Sequence, residues 1–268
     1  MLRKLTKTSK YFVLPFHNTL IPSNEFTVTD STGPSDTRFN SHLAMVIEMG
    51  EITLADFLRR NHQFVSQAKL IDIISCLMYM VLDAHALDLV LMDIKDANVM
   101  HFKMGPGLYS WKCIDLESCL EKDAVLSKSR FTATIPFMAP ELMTGAETHA
   151  KLSMDIWSLG ILIFNTLICK QRQTFWTLQG INDNAAIKEE IVKGRLTQSK
   201  IDELIGRTFS GSDNSSQRHF LERMLKINPN ERWTITALEQ AALMKGSSSI
   251  SPSILVDEHV WTPSHHNE

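Results

Sequence analysis

A short polar segment, DIKDAN at residues 93–98, places a carboxylate, an ammonium group and an amide close together in the chain. The carboxylate of Asp93 can accept the proton of a hydroxyl group, and the ammonium group of Lys95 can neutralise charge on a phosphoryl group. The amide oxygen of Asn98 and the carboxylate of Asp115 are ligand types that Mg²⁺ prefers. These residue types suit phosphoryl transfer, in which positioning and charge neutralisation supply most of the catalysis.

The spacing D-x-K-x-x-N by itself is a weak signal, because charged residues are common in surface loops. A solvated surface loop is therefore the alternative interpretation of residues 93–98. The elements around this loop, together with the other motifs along the chain, decide between the two interpretations.

The elements that must position the loop form a strand-rich front and a mostly helical body. β-Branched and aromatic residues predict strands over 11–15 and 42–48, and the polar stretch 21–41 predicts a loop between them. Thr53, with Asp56 three residues later, predicts the N-cap of a short helix. Further helices are predicted over residues 68–86, 154–167, 185–193, 197–205, 216–225 and 235–244, and short strands over 89–91, 99–102 and 109–114. Residues 117–135 are polar and predict an irregular segment.

From residue 42 to residue 244 the chain resembles the protein kinase family, because several of that family's motifs occur here in the family's order. The matching segments are Glu48-Met49-Gly50 (the hinge), HALDLVLMDIKDAN at 85–98 (a helix end and the catalytic loop), Asp115, TIPFMAPE at 134–141, DIWSLG at 155–160 and Arg232 in NPNERWT. The resemblance implies an α+β, protein-kinase-like fold with a mainly helical C-lobe and an incomplete small β N-lobe. It implies an N-lobe remnant with a polar insertion at 1–50, a C-lobe at 51–245 and a flexible tail at 246–268.

The same resemblance implies a Ser/Thr protein kinase, a transferase that uses Mg²⁺-ATP. Asp93, Lys95 and Thr134 match catalytic residues, and Lys95 favours Ser or Thr as the phosphate acceptor. Asn98 and Asp115 match the residues that hold the metal. The residues that would bind the nucleotide are Ile47, Glu48, Gly50, Lys95, Asn98, Met100 and Asp115.

Other matching residues have structural roles in the resemblance. Asp155 is expected to accept hydrogen bonds from the catalytic-loop backbone. Glu141 and Arg232 are expected to form a buried ion pair, and Trp157 is expected in the core of a helix that is apolar almost all round. His85 is interpreted as a buried, hydrogen-bonded histidine and not as a catalytic base.

The sequence departs from the kinase pattern at four places. It contains no G-x-G-x-x-G loop, and no strand that carries a V-A-I-K-like lysine precedes the hinge. Met92 stands where the family has the arginine that reads a phosphorylated activation loop, so this regulation is not expected despite Ser127, Ser129 and Thr132. Glu117 stands where the family has glycine, which is expected to restrict the backbone because glycine alone enters positive φ at little cost.

The composition limits the kinds of partner that this protein is expected to bind. The formal net charge of −3 gives no indication of a nucleic-acid partner, which would favour a basic surface. No apolar run is long enough to span a membrane. The four cysteines form no C-x-x-C pair, which favours buried free thiols and a cytoplasmic location. The expected partners are a protein with a Ser or Thr acceptor and a protein that covers the incomplete N-lobe.

Three hypotheses remain open on the sequence alone. The first is an active Ser/Thr kinase, supported by Asp93, Lys95, Asn98 and Asp115. The second is a catalytically impaired pseudokinase that acts as a binding scaffold. The third is that the sequence begins at an internal methionine of a longer kinase.

Overall fold

The computed structural model describes residues 9–13, 15–21, 42–106, 108–126, 133–244 and 255–256. A mostly helical body forms the larger part, as the sequence predicts. The helices are α1 (Leu54–Asn61), α2 (Gln67–His85), α3 (Pro140–Met143), α4 (Leu152–Leu167), α5 (Asn184–Val192), α6 (Gln198–Thr208), α7 (Ser215–Met224) and α8 (Ile235–Met244). The strands are β1 (Pro15–Ile21), β2 (His42–Ile47), β3 (Ile52–Thr53), β4 (Leu89–Val90), β5 (Val99–Gly105), β6 (Leu108–Cys113), β7 (Leu120–Glu121) and β8 (Leu255–Val256).

At the front of the chain, β1 and β2 form an antiparallel pair in which Ile21 lies opposite His42 and Pro15 lies opposite Ile47. The strand predicted over 42–48 is confirmed as β2. The strand predicted over 11–15 is wrong: a turn occupies residues 10–11, and Phe12 makes only an isolated bridge to Cys113. The polar loop predicted over 21–41 lies outside the described residues, apart from Ile21, which ends β1.

Residues 9–13 form an anchor segment that packs into the helical body. The Cys113 amide donates to the Tyr11 carbonyl at 2.7 Å, and the Val13 amide donates to the Cys113 carbonyl at 3.2 Å. Phe12 is fully buried, and the Tyr11 ring stacks on Tyr79 of α2 at 5.7 Å. The apolar, aromatic composition of this segment predicts a strand because buried irregular segments and paired strands are rich in the same residue types.

The predicted helix starts are confirmed by their caps. The Thr53 hydroxyl accepts a hydrogen bond from the Asp56 amide at 3.1 Å and begins α1. Ser66 caps α2 in the same way through the Lys69 amide, and α2 then ends close to the predicted boundary. These side chains satisfy amides that the first helical turn leaves without backbone partners.

The central helix is α4, which is buried along most of its length, as predicted from its apolar sequence. Trp157 is fully buried within it, and α2 and α7 pack against the helix. Gly160 allows the close approach of α7, because a Cβ atom there would lie only 2.8 Å from Leu225 Cδ2. The body is therefore organised around one helix that carries polar residues at its first turn.

A four-stranded antiparallel sheet in the order β3-β5-β6-β8 lies beside this body. In the β5–β6 hairpin Met100 lies opposite Lys112, and His101 lies opposite Trp111. Because side chains alternate along a strand, Met100, Phe102 and Lys112 share one face of the hairpin. The strands predicted over 89–91, 99–102 and 109–114 are confirmed as β4, β5 and β6. The stretch expected to be irregular contains β7, and the tail contributes β8.

All four cysteines are free and buried, as predicted. Burial raises the pKa of the Cys113 thiol well above its usual range and raises that of Cys119 to about 12. Both thiols therefore stay protonated near neutral pH and are poor nucleophiles. None of the described helices has the length and apolar character required to cross a membrane.

Replacing Phe12 by alanine is expected to lower the free energy of unfolding by about 3–5 kcal/mol, because a fully buried ring leaves a cavity. Urea denaturation followed by tryptophan fluorescence measures the change. The matched control is Phe64→Ala, whose ring is 84% exposed and whose loss should change the free energy by less than about 0.5 kcal/mol. Equal effects of the two substitutions would show that the anchor segment is not part of the core.

Candidate active site

The catalytic loop, residues 91–98, is attached to the start of α4 by one buried carboxylate. Asp155 is fully buried, and its two oxygens accept hydrogen bonds from the amides of Leu91 at 2.8 Å and Met92 at 2.9 Å. Nε2 of His85 lies 3.0 Å from Asp155 Oδ2. Both predictions, for Asp155 and for a buried, bonded His85, are confirmed.

These hydrogen bonds hold a backbone conformation that is costly for the residue concerned. Met92 has φ 68°, in the left-handed region that side chains other than glycine rarely adopt. Such a conformation costs roughly 1–3 kcal/mol and persists only where the surroundings fix it. The amide of Met92 is fixed by Asp155, and the turn that follows delivers Asp93.

Asp93 is the centre of a network that joins the loop at residues 91–98 to Thr134. Its Oδ1 accepts from the amide of Thr134 at 3.1 Å and from the Thr134 hydroxyl at 2.8 Å. Its Oδ2 accepts from Nζ of Lys95 at 2.6 Å and from Nδ2 of Asn98 at 2.9 Å. Nζ of Lys95 also donates to the Thr134 hydroxyl at 2.9 Å. The structure thus brings together Asp93, Lys95, Thr134 and Asn98, which the sequence had placed in one site.

Asn98 and Asp115 form the part of the site suited to a magnesium ion. Nδ2 of Asn98 donates to the backbone carbonyl of Asp93 at 3.0 Å as well as to its carboxylate, so its acceptor oxygen is the group available to a cation. The amide of Ile114 donates to the Asn98 carbonyl at 2.9 Å, which places Asp115 next to this loop. The exposed Asp115 carboxylate and one amide oxygen fit Mg²⁺, which takes few protein ligands when substrate phosphates supply the others.

The described residues hold no cluster of three or more His, Cys, Asp and Glu side chains that could bind a metal ion. Asp115 has φ 59°, whereas Glu117 is not among the residues with positive φ. The amide of Glu117 donates to Asp115 Oδ1 at 3.3 Å. The strained backbone is therefore that of Asp115, the candidate metal ligand, whereas Glu117 adopts an ordinary turn conformation.

The hinge, residues 48–50, lies on the β5–β6 hairpin. A Cβ atom at Gly50 would lie 2.1 Å from Sδ of Met100 and 3.0 Å from Cζ of Phe102, so a larger residue here would require the Met100 side chain to move. Ile47 ends β2 immediately before the hinge. The structure therefore brings Gly50 and Met100 into contact. Ile47 and Glu48 come shortly before Gly50 in the chain.

Sequence reasoning missed Lys112 as a residue of this region. Lys112 is 2% exposed, and its Nζ lies 2.7 Å from both carboxylate oxygens of Glu48. The available signal was a single lysine between Trp111 and Cys113 in a segment predicted to be a short strand. A lysine at such a position requires a charged partner.

Glu141 and Arg232 form the predicted buried ion pair. The guanidinium group donates to both Glu141 oxygens at 2.7 Å, and it also donates to the carbonyls of Lys226 and Ser153. The pair ties α3 to the loop before α8, and so it fixes the segment that carries Thr134. This two-pronged geometry is specific to arginine.

The segment that follows Asp115 is attached to the body by its backbone. β7 pairs with β4, and Asp123, Ala124 and Leu126 exchange hydrogen bonds with residues 148–150. Met92 is 4% exposed and packs in the core. Ser127, Ser129 and Thr132 lie outside the described residues, so the expected absence of phosphate-dependent regulation stays a prediction.

Comparisons with known proteins agree with this geometry. A family model described as protein kinase domain matches residues 17–244. The serine/threonine-protein kinase MPS1 of Encephalitozoon cuniculi (strain GB-M1) is 24% identical over 213 residues, which covers 71% of this chain and 35% of that protein. The chain therefore spans about a third of the length of this curated relative.

Replacing Asp155 by asparagine is expected to lower the free energy of unfolding by about 2–4 kcal/mol, because two charge-assisted hydrogen bonds to a strained backbone are weakened. Chemical denaturation provides the measurement. Asp123→Asn is the control, since Asp123 is exposed and its pair with Lys151 lies at the surface, where such pairs contribute little. A D155N protein as stable as wild type would contradict the role assigned to Asp155.

Proposed function

Because the chain belongs to the protein kinase family, we propose that it is a Ser/Thr protein kinase that transfers the γ-phosphoryl group of Mg²⁺-ATP to protein hydroxyl groups. The observation that carries the proposal is the Asp93 carboxylate, which accepts hydrogen bonds from Thr134, Lys95 and Asn98. Three separate groups hold one carboxylate in one orientation. Such preorganisation is what phosphoryl transfer demands of a protein.

In this proposal Asp93 binds the acceptor hydroxyl group and accepts its proton as the phosphoryl group transfers. Its two oxygens already accept four hydrogen bonds from Thr134, Lys95 and Asn98. A carboxylate has about four acceptor sites. The substrate hydroxyl therefore has to displace one of these donors or share an acceptor site of the carboxylate with it. Rotation of the Thr134 hydroxyl would free such an acceptor site at the lowest energetic cost.

Lys95 would balance the negative charge of the transferred phosphoryl group, because its Nζ already lies between Asp93 and Thr134. Asn98 and Asp115 would hold Mg²⁺, which supplies charge neutralisation at the phosphates when it is bound. The backbone of Glu48 and Gly50, together with Ile47 and Met100, would bind the adenine base. Ser/Thr specificity is supported by Lys95 and by the similarity to MPS1, which is a serine/threonine-protein kinase.

The alternative is a catalytically impaired kinase-like scaffold that binds proteins. Glu117 favours it, because an exposed carboxylate two residues after Asp115 adds negative charge near the phosphates. In this case the same fold would present its surface to partners without transferring phosphate.

Phosphate transfer from ATP labelled at the γ-phosphate to matched Ser, Thr and Tyr peptides tests the proposal. The wild type is expected to label Ser and Thr peptides, and Asp93→Asn is expected to lower the rate by about 10²–10⁴-fold because the proton acceptor is lost. Asp96→Asn is the control in the same loop and should change the rate only slightly.

Two results would count against the proposal. Equal rates for the wild type and the D93N variant would show that Asp93 is not the proton acceptor. A wild type that folds normally and labels no peptide would favour the scaffold alternative.

A further inference from the structure

The position of Lys112 requires an explanation, because burial of an ammonium group is costly unless a charged partner compensates it. Lys112 lies near the end of β6, between Trp111 and Cys113, and is 2% exposed. Its Nζ donates to both oxygens of Glu48 at 2.7 Å and lies 5.2 Å from the Phe102 ring centroid. The lysine therefore reaches from β6 to a residue that is 64 positions earlier in the chain.

The hinge and the residue after it contact the hairpin at three successive points. Glu48 meets Lys112, Gly50 packs against the Met100 and Phe102 side chains, and the Glu51 amide donates to the His101 carbonyl at 2.8 Å. Residues 48–51 belong to no helix or strand. Side-chain contacts and single hydrogen bonds therefore determine where this backbone lies.

Among these contacts, the ion pair is the one that fixes the start of the hinge. A carboxylate held through both oxygens by one buried ammonium group has little freedom to rotate or translate. Met49, the next residue, is 92% exposed and contributes little packing. Apolar contact at Gly50 limits the distance between the hinge and β5, and the hydrogen bond from the Glu51 amide to the His101 carbonyl fixes the end of the hinge.

We propose that the Lys112–Glu48 ion pair is a positioning device that sets the place of the hinge backbone on the β5–β6 hairpin. Its consequence for nucleotide binding rests on the proposed function, in which the backbone of residues 48–50 binds the adenine base. Lys112 contacts neither phosphates nor acceptor in this proposal. It is a positioning residue that acts through Glu48.

Hydrogen–deuterium exchange of the amides of residues 48–52 tests the positioning directly and needs no nucleotide. Lys112→Met keeps the length and the apolar stem of the side chain and removes the charge. Exchange at residues 48–52 is expected to become faster by roughly tenfold or more, since charge-assisted hydrogen bonds are lost. The matched control is Lys103→Met, an exposed lysine on β5 of the same hairpin, which should leave this exchange unchanged.

A steady-state assay separates positioning from loss of stability. Lys112→Met is expected to raise KM for ATP by about tenfold with kcat nearly unchanged, because hinge contacts bind ground state and transition state alike. A merely structural role would lower kcat through a smaller folded fraction and leave KM unaltered. Glu48→Gln is the second variant, and it decides the question if Lys112→Met does not fold.

A double variant, Glu48→Gln with Lys112→Met, completes the cycle. The pair acts as a unit if the double variant exchanges no faster than Lys112→Met alone. Unchanged exchange at residues 48–52 in both single variants would overturn the proposal. The two single variants could exchange faster at residues 48–52 while the wild type binds no nucleotide. That result would support the ion pair as the positioning device and would count against the proposed function alone.

Discussion

A single buried carboxylate, Asp155, connects the helix around which the body packs to the loop that carries the proposed catalytic residues. Its oxygens hold the amides of Leu91 and Met92, and Met92 is in a backbone conformation that would otherwise relax. The orientation of Asp93 follows from this turn. The network from Asp93 to Thr134 then connects the catalytic loop to the segment that the Glu141–Arg232 pair fixes.

The β5–β6 hairpin supports the hinge and is connected directly to the residues proposed to bind the metal. One face, with Met100, Phe102 and Lys112, supports the hinge, while Val99 continues from the short helical turn that contains Asn98. The end of β6 leads through Ile114 to Asp115. One short hairpin thus determines the relative places of the proposed adenine-binding and metal-binding groups.

The features that were predicted correctly depend on local sequence or on motifs. The Thr53 cap and the apolar sequence of α4 each depend on residues that are close together in the chain, and each kinase motif is recognised from a short run of residues. The features that were missed depend on contacts distant in sequence. Residues 11–13 have strand-like composition but are buried in the anchor segment. Lys112 has a strand position, but its partner, Glu48, is too distant in the sequence for a local pattern to reveal it.

We propose above all that the site binds a nucleotide together with a magnesium ion. Calorimetric titration of ATP into the chain, with Mg²⁺ and then with a chelator, tests it most directly when repeated on Asp115→Asn. Asp115 is exposed, so its loss should leave folding intact. We predict that Mg²⁺ tightens ATP binding to the wild type and not to the variant. ATP affinity that is independent of Mg²⁺, or no binding by a folded wild type, would contradict the account.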